Sequence, residues 1–538
     1  MAQELTSINL VAPAFKGINT EDSPLAQDPS FAEVADNAVI DQRGRIAARK
    51  GLSVITTNKT VLGSGKIRAI KEFKNNAGTT KVFSVGNNKI ISGTTTLVDA
   101  TPSSYVTINA DNWISGTTTL VDETPGSYTI NADNWKMVNF NDSIYFFQRG
   151  FEPLIYNTIA ANANGGVGSE VKKLTLADSN SGISAAINGN EVLAAYGRLW
   201  TADFTDDKST IYWSDLLAGH KWNGGSSGNI DIAKVWPDGY DEIVALSAHN
   251  NHLIIFGKRS IVVYSGADNP ASMALADTVA GVGCVDRDTV QATGTDVLFL
   301  SQTGLKSFGR TIQEKSMPIS SLSGTITKDI IATLTTETES FRSVYYPEEN
   351  FYLLTFVGRD VTFCFDVRGT LDNGSYRATR WPGTGFTSYV RQDDGTLLIG
   401  SANGIGKYSG FQDNSTSYRF QYTSPELSFG DPAKLKFLKK IRPTIFGGEN
   451  SNIFFRWAYD FNSSSASATI TLTSDATSEY NVAEFNVGQF TSGQFLSRNN
   501  VNTTGSGGTL SINMESDIDG KEMSLQEINV LALLGRTI

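Results

Sequence analysis

DEIVALSAHNNHLIIFGKRSIVVYSG, residues 241–266, followed after a short loop by GVGCVDRDTVQATGTDVLFLSQTGLKSFGR, residues 281–310, decides the reading of the whole chain. Leu253–Phe256 and Ile261–Tyr264 are apolar runs flanking Gly257-Lys258-Arg259-Ser260, and Val297–Leu300 and Leu305–Phe308 flank Ser301-Gln302-Thr303-Gly304. Short β-rich runs on either side of a four-residue turn read as hairpins.

The same pattern recurs along the chain. Val82–Val85 with Lys89–Ile91, Ile144–Phe147 with Pro153–Tyr156, and Arg198–Ala202 with Ile211–Trp213 precede the two quoted hairpins; Phe351–Phe356 with Val361–Phe365 and Leu397–Ile399 with Ile405–Tyr408 follow them. The starts at 82, 144, 198, 253, 297, 351 and 397 are spaced by 62, 54, 55, 44, 54 and 46 residues. A four-stranded sheet of about 40–50 residues cannot bury both faces alone, and radial stacking of such sheets gives a propeller. The expected fold class is therefore mainly β, a β-propeller of six or seven blades over residues 61–410. An N-terminal arm (1–60) precedes it and a C-terminal β-sandwich (411–538) follows.

The longest spacing contains a tandem repeat. ISGTTTLVDATPSSYVTINADNW (Ile91–Trp113) is followed at once by ISGTTTLVDETPGSYTINADNW (Ile114–Trp135). The 91–135 duplication reads as an insertion inside one blade, adding strands at an edge or a protruding hairpin.

In the arm, Asp28 and Pro29 predict a short helix over 29–37, and Ala38–Asp41 with Arg45–Ala48 predict a hairpin around Gln42-Arg43-Gly44. So coreless an arm is expected to lie against another domain or a neighbouring subunit. Ile326, Ile330, Ile331 and Leu334 recur at helical spacing within Ser320–Ser340. After 417, Tyr418–Tyr422, Leu435–Ile441, Ile453–Phe461, Ala468–Thr473, Tyr480–Phe485, Thr509–Met514 and Ile528–Leu534 read as sandwich strands. Lys434, Lys436, Lys439, Lys440 and Arg442 crowd one of them, which suggests an edge strand protected by lysines or a surface for an acidic partner.

Composition narrows the chemistry. Fifty Gly, 29 Phe and 18 Tyr suit strands and turns, and a net charge of −11 argues against a protein that clamps DNA through its phosphates. Cys284 and Cys364 make no disulfide framework and read as core residues. No leader-like segment and no apolar run long enough for a membrane helix is found, so the expectation is a product made in the cytoplasm.

No catalytic, cofactor or metal site is expected. His249 and His252 lack a third ligand, and a hairpin is not expected to place them on one face. Gly224-Gly225-Ser226-Ser227-Gly228 matches G-x-S-x-G without the strand–turn–helix context of a nucleophile. Glu515, Asp517, Asp519 and Gly520 imitate a calcium loop but lack its first Asp and closing Glu. Gly63-Ser64-Gly65-Lys66 lacks phosphate-loop spacing.

Three segments carry a resemblance. Asp22-Ser23-Pro24, the Asn37-to-Asp41 step and the Gly44-to-Gly51 hairpin resemble the opening of tail nozzle (tail tubular, or packaged-DNA stabilisation) proteins of short-tailed bacteriophages. The quoted 241–310 region and SPELSFGDPAKLKFLKKIRPTIFGG (Ser424–Gly448) are similar to their propeller and late domain. The resemblance implies a structural virion protein without enzyme activity. It would be made in a bacterial host and assembled as a hexameric ring beneath a tail adaptor. Tail fibres or tailspikes attach outside, and double-stranded DNA passes without specific binding. The alternative expectation is a carbohydrate-binding or glycoside-cleaving propeller.

Overall fold

The computed structural model describes residues 5–56, 66–86, 89–92, 95–99, 113–115, 118–120, 135–160, 165–174, 187–314, 321–402, 404–462, 465–472 and 496–537. The expected strand Tyr480–Phe485, residues 63–65 and most of the 91–135 duplication lie outside them.

All seven expected hairpins are present, each as an antiparallel pair inside its own sheet. Sheet 1 runs Ala69–Lys74, Thr80–Gly86, Lys89–Ser92, Thr95–Asp99; sheet 2 runs Lys136–Phe140, Ser143–Phe147, Leu154–Asn157, Val171–Lys173. Sheet 3 runs Glu191–Ala195, Arg198–Ala202, Thr210–Trp213, Gly228–Asp231; sheet 4 runs Ile243–His249, His252–Gly257, Ile261–Ser265, Ala274–Val279. Sheet 5 has three strands, Gln291–Ala292, Val297–Ser301 and Gly304–Ser307. Sheet 6 runs Phe341–Tyr346, Phe351–Phe356, Val361–Thr370, Tyr376–Pro382, and sheet 7 joins Ser388–Arg391, Leu397–Ser401 and Gly404–Tyr408 to Leu52–Thr56 from the arm.

Sheets 1, 2, 3, 4 and 7 are free-standing four-stranded sheets, the first four of them meanders, giving a five-blade β-propeller arrangement. That is fewer than the six or seven blades expected, and the difference lies in sheets 5 and 6: one is a strand short, and the other continues into further strands. The first strands of sheets 1 to 7 touch in order, and that of sheet 7 touches that of sheet 1. Apolar side chains from facing sheets bury one another, as Phe73 and Phe83 of sheet 1 do with Phe146 and Tyr156 of sheet 2. Each such side chain contributes about 1.5–3 kcal/mol.

Carboxylates ahead of a sheet pin the turn inside it. Asp241 accepts from the Lys258 and Arg259 N–H groups (3.1 and 2.9 Å), and Glu337 accepts from those of Gly358 and Arg359 (2.8 and 3.1 Å).

The arm is woven through the molecule. Leu5–Val11 pairs with the long last strand, Met523–Thr537. The hairpin Ala38–Ile40/Ile46–Ala48 forms as expected and extends the same sheet. The expected helix over 29–37 is absent: turns lead into a strand, Val34–Asp36. That strand lies between sheet 6 (Asp36 opposite Arg380) and Tyr418–Thr423, so its backbone is claimed by neighbours on both sides and the helical option is lost. It joins sheet 6 to Tyr418–Thr423, Leu510–Ile518, Asn452–Tyr459 and Ala466–Thr471 in one nine-stranded sheet.

The lysine-rich strand, Lys434–Gly447, is central, with Met523–Thr537 on one side and Leu496–Arg498, Val501–Asn502 and Ser506–Gly507 on the other. The edge-strand expectation is therefore wrong. Lys436 is buried, donating to the Gly508 carbonyl (2.6 Å) and the Asp431 carbonyl, while Lys434, Lys439 and Lys440 stay exposed. Bulges between Lys434 and Lys436 and between Leu438 and Lys440 break the alternation that would have revealed this.

The helix within Ser320–Ser340 spans Thr327–Thr336, and Ile326 and Ile330 enter the core. A second helix, Phe308–Gln313, replaces the end of the expected strand, because Ser307 caps it by accepting from the Arg310 N–H. One hydrophobic cluster runs from Leu300 and Phe363 through Ala35 and Ile46 to Phe420, Ile441, Phe455, Met514 and Ile528. It crosses residue 410 without a break.

Candidate functional site

The first strands of sheets 1, 2, 5, 6 and 7 line a cavity of about 340 Å³ at the propeller axis. It is lined by charge. Lys136, opening sheet 2, bonds Glu191, opening sheet 3, at 3.0 Å; Glu191 is buried. Arg342, in sheet 6, bonds Asp288 at 2.9 Å, and Arg287 lies 3.7 Å from the same carboxylate. At the rim Arg391 holds Glu348 (2.5 Å), while Arg68 and Lys66 share Glu339 (3.5 and 2.9 Å).

Burial pushes the Glu191 carboxyl above its ordinary value, with Lys136 and Arg287 opposing it. Burial acts on Asp288 in the same direction, but Arg287, Arg342 and Lys136 outweigh it and hold that carboxyl low. Asp286, half-buried and accepting from the Asp288 N–H (2.8 Å), is raised by burial and by Asp288. Lys71 is lowered by burial and by Lys136 beside it. These groups come from residues 71, 136, 191, 288 and 342, and no motif links them.

The second notable site is where the resemblance-bearing segment locks the ring to the C-terminal strands. Asp36 takes both arms of the Arg380 guanidinium at 2.8 Å. Arg49, 2% exposed, donates to Asn37 Oδ1 (2.9 Å), to Asp413 Oδ1 and Oδ2 (3.0 and 2.5 Å) and to the Lys50 carbonyl (2.9 Å). Its guanidinium lies 4.2 Å from the Tyr418 ring centre. Asn37 sits at φ 51 and donates to the Arg419 carbonyl (2.7 Å). Gly51 has no room for a side chain, since a Cβ there would lie 2.0 Å from the Gln412 carbonyl oxygen.

The isolated candidates resolve individually. His249 and His252 are directly opposed across the hairpin, flanking Asn250-Asn251 at φ 46 and 62. Opposed residues share a face, so the expectation that a hairpin separates them is corrected. Among the described residues no group of three metal-binding side chains forms. The Ser226 hydroxyl donates to Asp215 Oδ1 (2.7 Å), and a strand, Gly228–Asp231, follows it. Glu515 and Asp517 lie on a strand and bind Arg419 at 2.9 and 3.0 Å, while Asp519 and Gly520 form the turn beyond. Lys66 is bound to Glu339. Cys284 and Cys364 are buried, as expected.

No family model matches the chain, and no curated protein does. Among solved structures it is similar to the extracellular domain of a one-component system from B. thetaiotaomicron (10% identity, TM-score 0.38, 86% of this chain and 62% of that one). It is similar to PorZ, a surface component of the type-IX secretion system of Porphyromonas gingivalis (12%, 0.32, 69% and 42%). A third is the Pan2 WD40 domain of Neurospora crassa (7%, 0.34, 67% and 94%). The chain thus spans less than two thirds of the first two proteins it resembles.

Proposed function

We propose that this chain is the tail nozzle subunit of a short-tailed bacteriophage. It would assemble as a hexameric ring that extends the DNA channel below the adaptor, retains packaged DNA until ejection and supports tail fibres or tailspikes. One observation carries this reading: within the segment through which the chain resembles that family, Asn37, Arg49 and Gly51 lie where the propeller meets the C-terminal strands. Asp41 closes its turn onto Arg45 at 2.7 Å, Gly44 sits at φ 78, and Arg49 is the buried link to Asp413. A buried, charge-paired joint of this kind suits a structural ring subunit, and the reading includes no catalytic step.

Counting sheets 5 and 6 as blades, we read the ring as seven-bladed, with the C-terminal strands as a sandwich. The axial cavity holds the volume of roughly ten waters, far too little for a DNA duplex. The channel on this reading runs between subunits, whose net charge of −11 each lets phosphates pass without sticking. The carbohydrate-active alternative needs an uncommitted carboxylate pair at the axis, and Glu191 and Asp288 there are bound to cations.

Imaging of the purified protein and of particles containing it tests the proposal. Rings of six copies with DNA on the ring axis are expected; a stable monomer that binds or cleaves glycans overturns it.

A further inference from the structure

The lysine-rich strand Lys434–Gly447 presents a cationic, partly apolar face to solvent. Residues opposed across paired strands share a face. Phe437 opposes Leu533, Lys440 opposes Leu531, Arg442 opposes Asn529, and Thr444 opposes Arg498. Phe437 is 37% exposed, and Lys439 in the bulge, Lys440, Arg442 and Arg498 are exposed as well. None of these four cations has a carboxylate partner among the described residues; the Arg442 guanidinium donates to Asn500 Oδ1 (2.8 Å). Glu527, opposite Thr444, accepts from Asn529 Nδ2 (3.1 Å).

A second feature has the opposite character. Leu216 and Leu217, after the third strand of sheet 3, are 52% and 60% exposed. Leu217 sits at φ 55, a region that favours glycine, and such strain is kept mainly where it serves a function. The loop backbone is pinned: the Leu217 N–H donates to the Gly197 carbonyl (2.8 Å), Asn141 Nδ2 donates to the Leu217 carbonyl (2.6 Å), and Asp215 accepts from the Leu216 N–H (2.9 Å). Both leucines are thus held out into water. Carboxylates stand beside them: Asp215 itself, Asp142 next to Asn141, and Asp268, near Tyr196, whose phenol is raised by burial and by that carboxylate. Gly197 lies against the loop, since a Cβ there would meet Leu216 Cδ1 at 3.0 Å.

We propose that the cationic face docks a second copy of this chain, whose Leu216–Leu217 loop seats its leucines on Phe437 and Leu531 while the carboxylates beside them meet Lys440, Arg442 and Arg498. Apolar centre meets apolar centre and opposite charges meet at the rim, the pattern of a specific protein contact. A cationic face repels its own copy, so the contact is heterologous, head to tail, and repetition closes a ring or runs on as a filament. The net charge of −11 leaves the rest of each copy acidic, which favours a second copy as the occupant. A nucleic acid would use the cations and leave Phe437, Leu531 and Leu533 uncovered. This contact deepens the proposed ring and rests on that reading for closure at six copies.

The test is sedimentation velocity of the full chain at low and at high sodium chloride, with imaging of the assemblies. Wild type is expected to associate, less so at high salt. A face variant, Lys440→Glu with Arg442→Glu, and a loop variant, Leu216→Asp with Leu217→Gly, each weaken association at least about tenfold. Both keep the wild-type melting temperature, because the face side chains are exposed and glycine relieves the φ of Leu217. Leu216→Asp alone gives a second loop variant with the backbone unchanged. Lys258→Glu, an exposed reversal elsewhere, leaves association intact. Mixing face and loop variants gives one-to-one heterodimers and nothing larger, since each keeps one half of a heterologous contact. Full-size assemblies from either variant overturn this contact and leave the ring reading standing. Loss in the face variant alone assigns the face to another acidic partner and overturns the pairing. A wild type that stays monomeric overturns the contact and the ring together.

Discussion

Replacing Arg49 by Met keeps most of the side chain's volume and deletes its charge, which isolates the joint between propeller and C-terminal strands. Four hydrogen bonds are lost, two of them to Asp413. Charged hydrogen bonds contribute about 1.5–3 kcal/mol. Asp413 is 32% exposed and regains water when Arg49 leaves, so the low end applies. Stranding the Asn37 oxygen and the Lys50 carbonyl adds about 1 kcal/mol, and losing the guanidinium over Tyr418 adds about 0.5–1 kcal/mol. The expected loss is therefore about 3 kcal/mol, within the range for breaking one side of a buried pair. Urea unfolding followed by tryptophan fluorescence measures it, since Trp381 lies 5.7 Å from the same guanidinium. In a double-mutant cycle with Asp413→Asn a coupling of about 1–2 kcal/mol is expected. A loss below about 1 kcal/mol, or strict additivity, would refute the reasoning.

Gly51→Ala forces the backbone away from Gln412 and should cost about 1–3 kcal/mol in the same assay; a neutral result would show that the approach is looser than 2.0 Å implies. Burial raises the Glu426 carboxyl, and burial with Glu426 raises that of Glu33. A raised carboxyl contributes stability that is present below its unfolded value of 4.5 and lost as pH rises through its folded value, so Glu426→Gln should stabilise at pH 7 and not at pH 4. Equal effects at both pH values would remove ionisation as the cause. Deleting Ile91–Trp113 should leave the fold intact, because the second copy repeats the hairpin register: Ile114 faces Thr119 as Ile91 faces Thr96. Circular dichroism and melting of the deletion variant test this, and collapse of the fold would mean that the two copies have different roles.

The seven hairpins were legible because each depends on contacts a few residues apart: short apolar runs, Gly, Asn or Asp at the turn, and strands long enough to pair. The tandem repeat and the Thr327–Thr336 helix were legible for the same reason. The buried cysteines followed from their apolar neighbours.

What escaped depends on partners far away in the chain. Residues 29–37 carry a helix start, yet Val34–Asp36 is a strand because Arg380 and Gln421 lie on either side of it. Five lysines and arginines look like a solvated edge, yet their strand is central and Lys436 is buried, because bulges shift the register. The axial cluster of Lys71, Lys136, Glu191, Asp288 and Arg342 has no local signal, since closing the ring assembles it from separate sheets. Sequence by itself determined the local β-units and their order. Tertiary structure alone decided which strands became neighbours and which charges met, because ring closure and sheet pairing set those through backbone hydrogen bonds and burial that no single segment encodes.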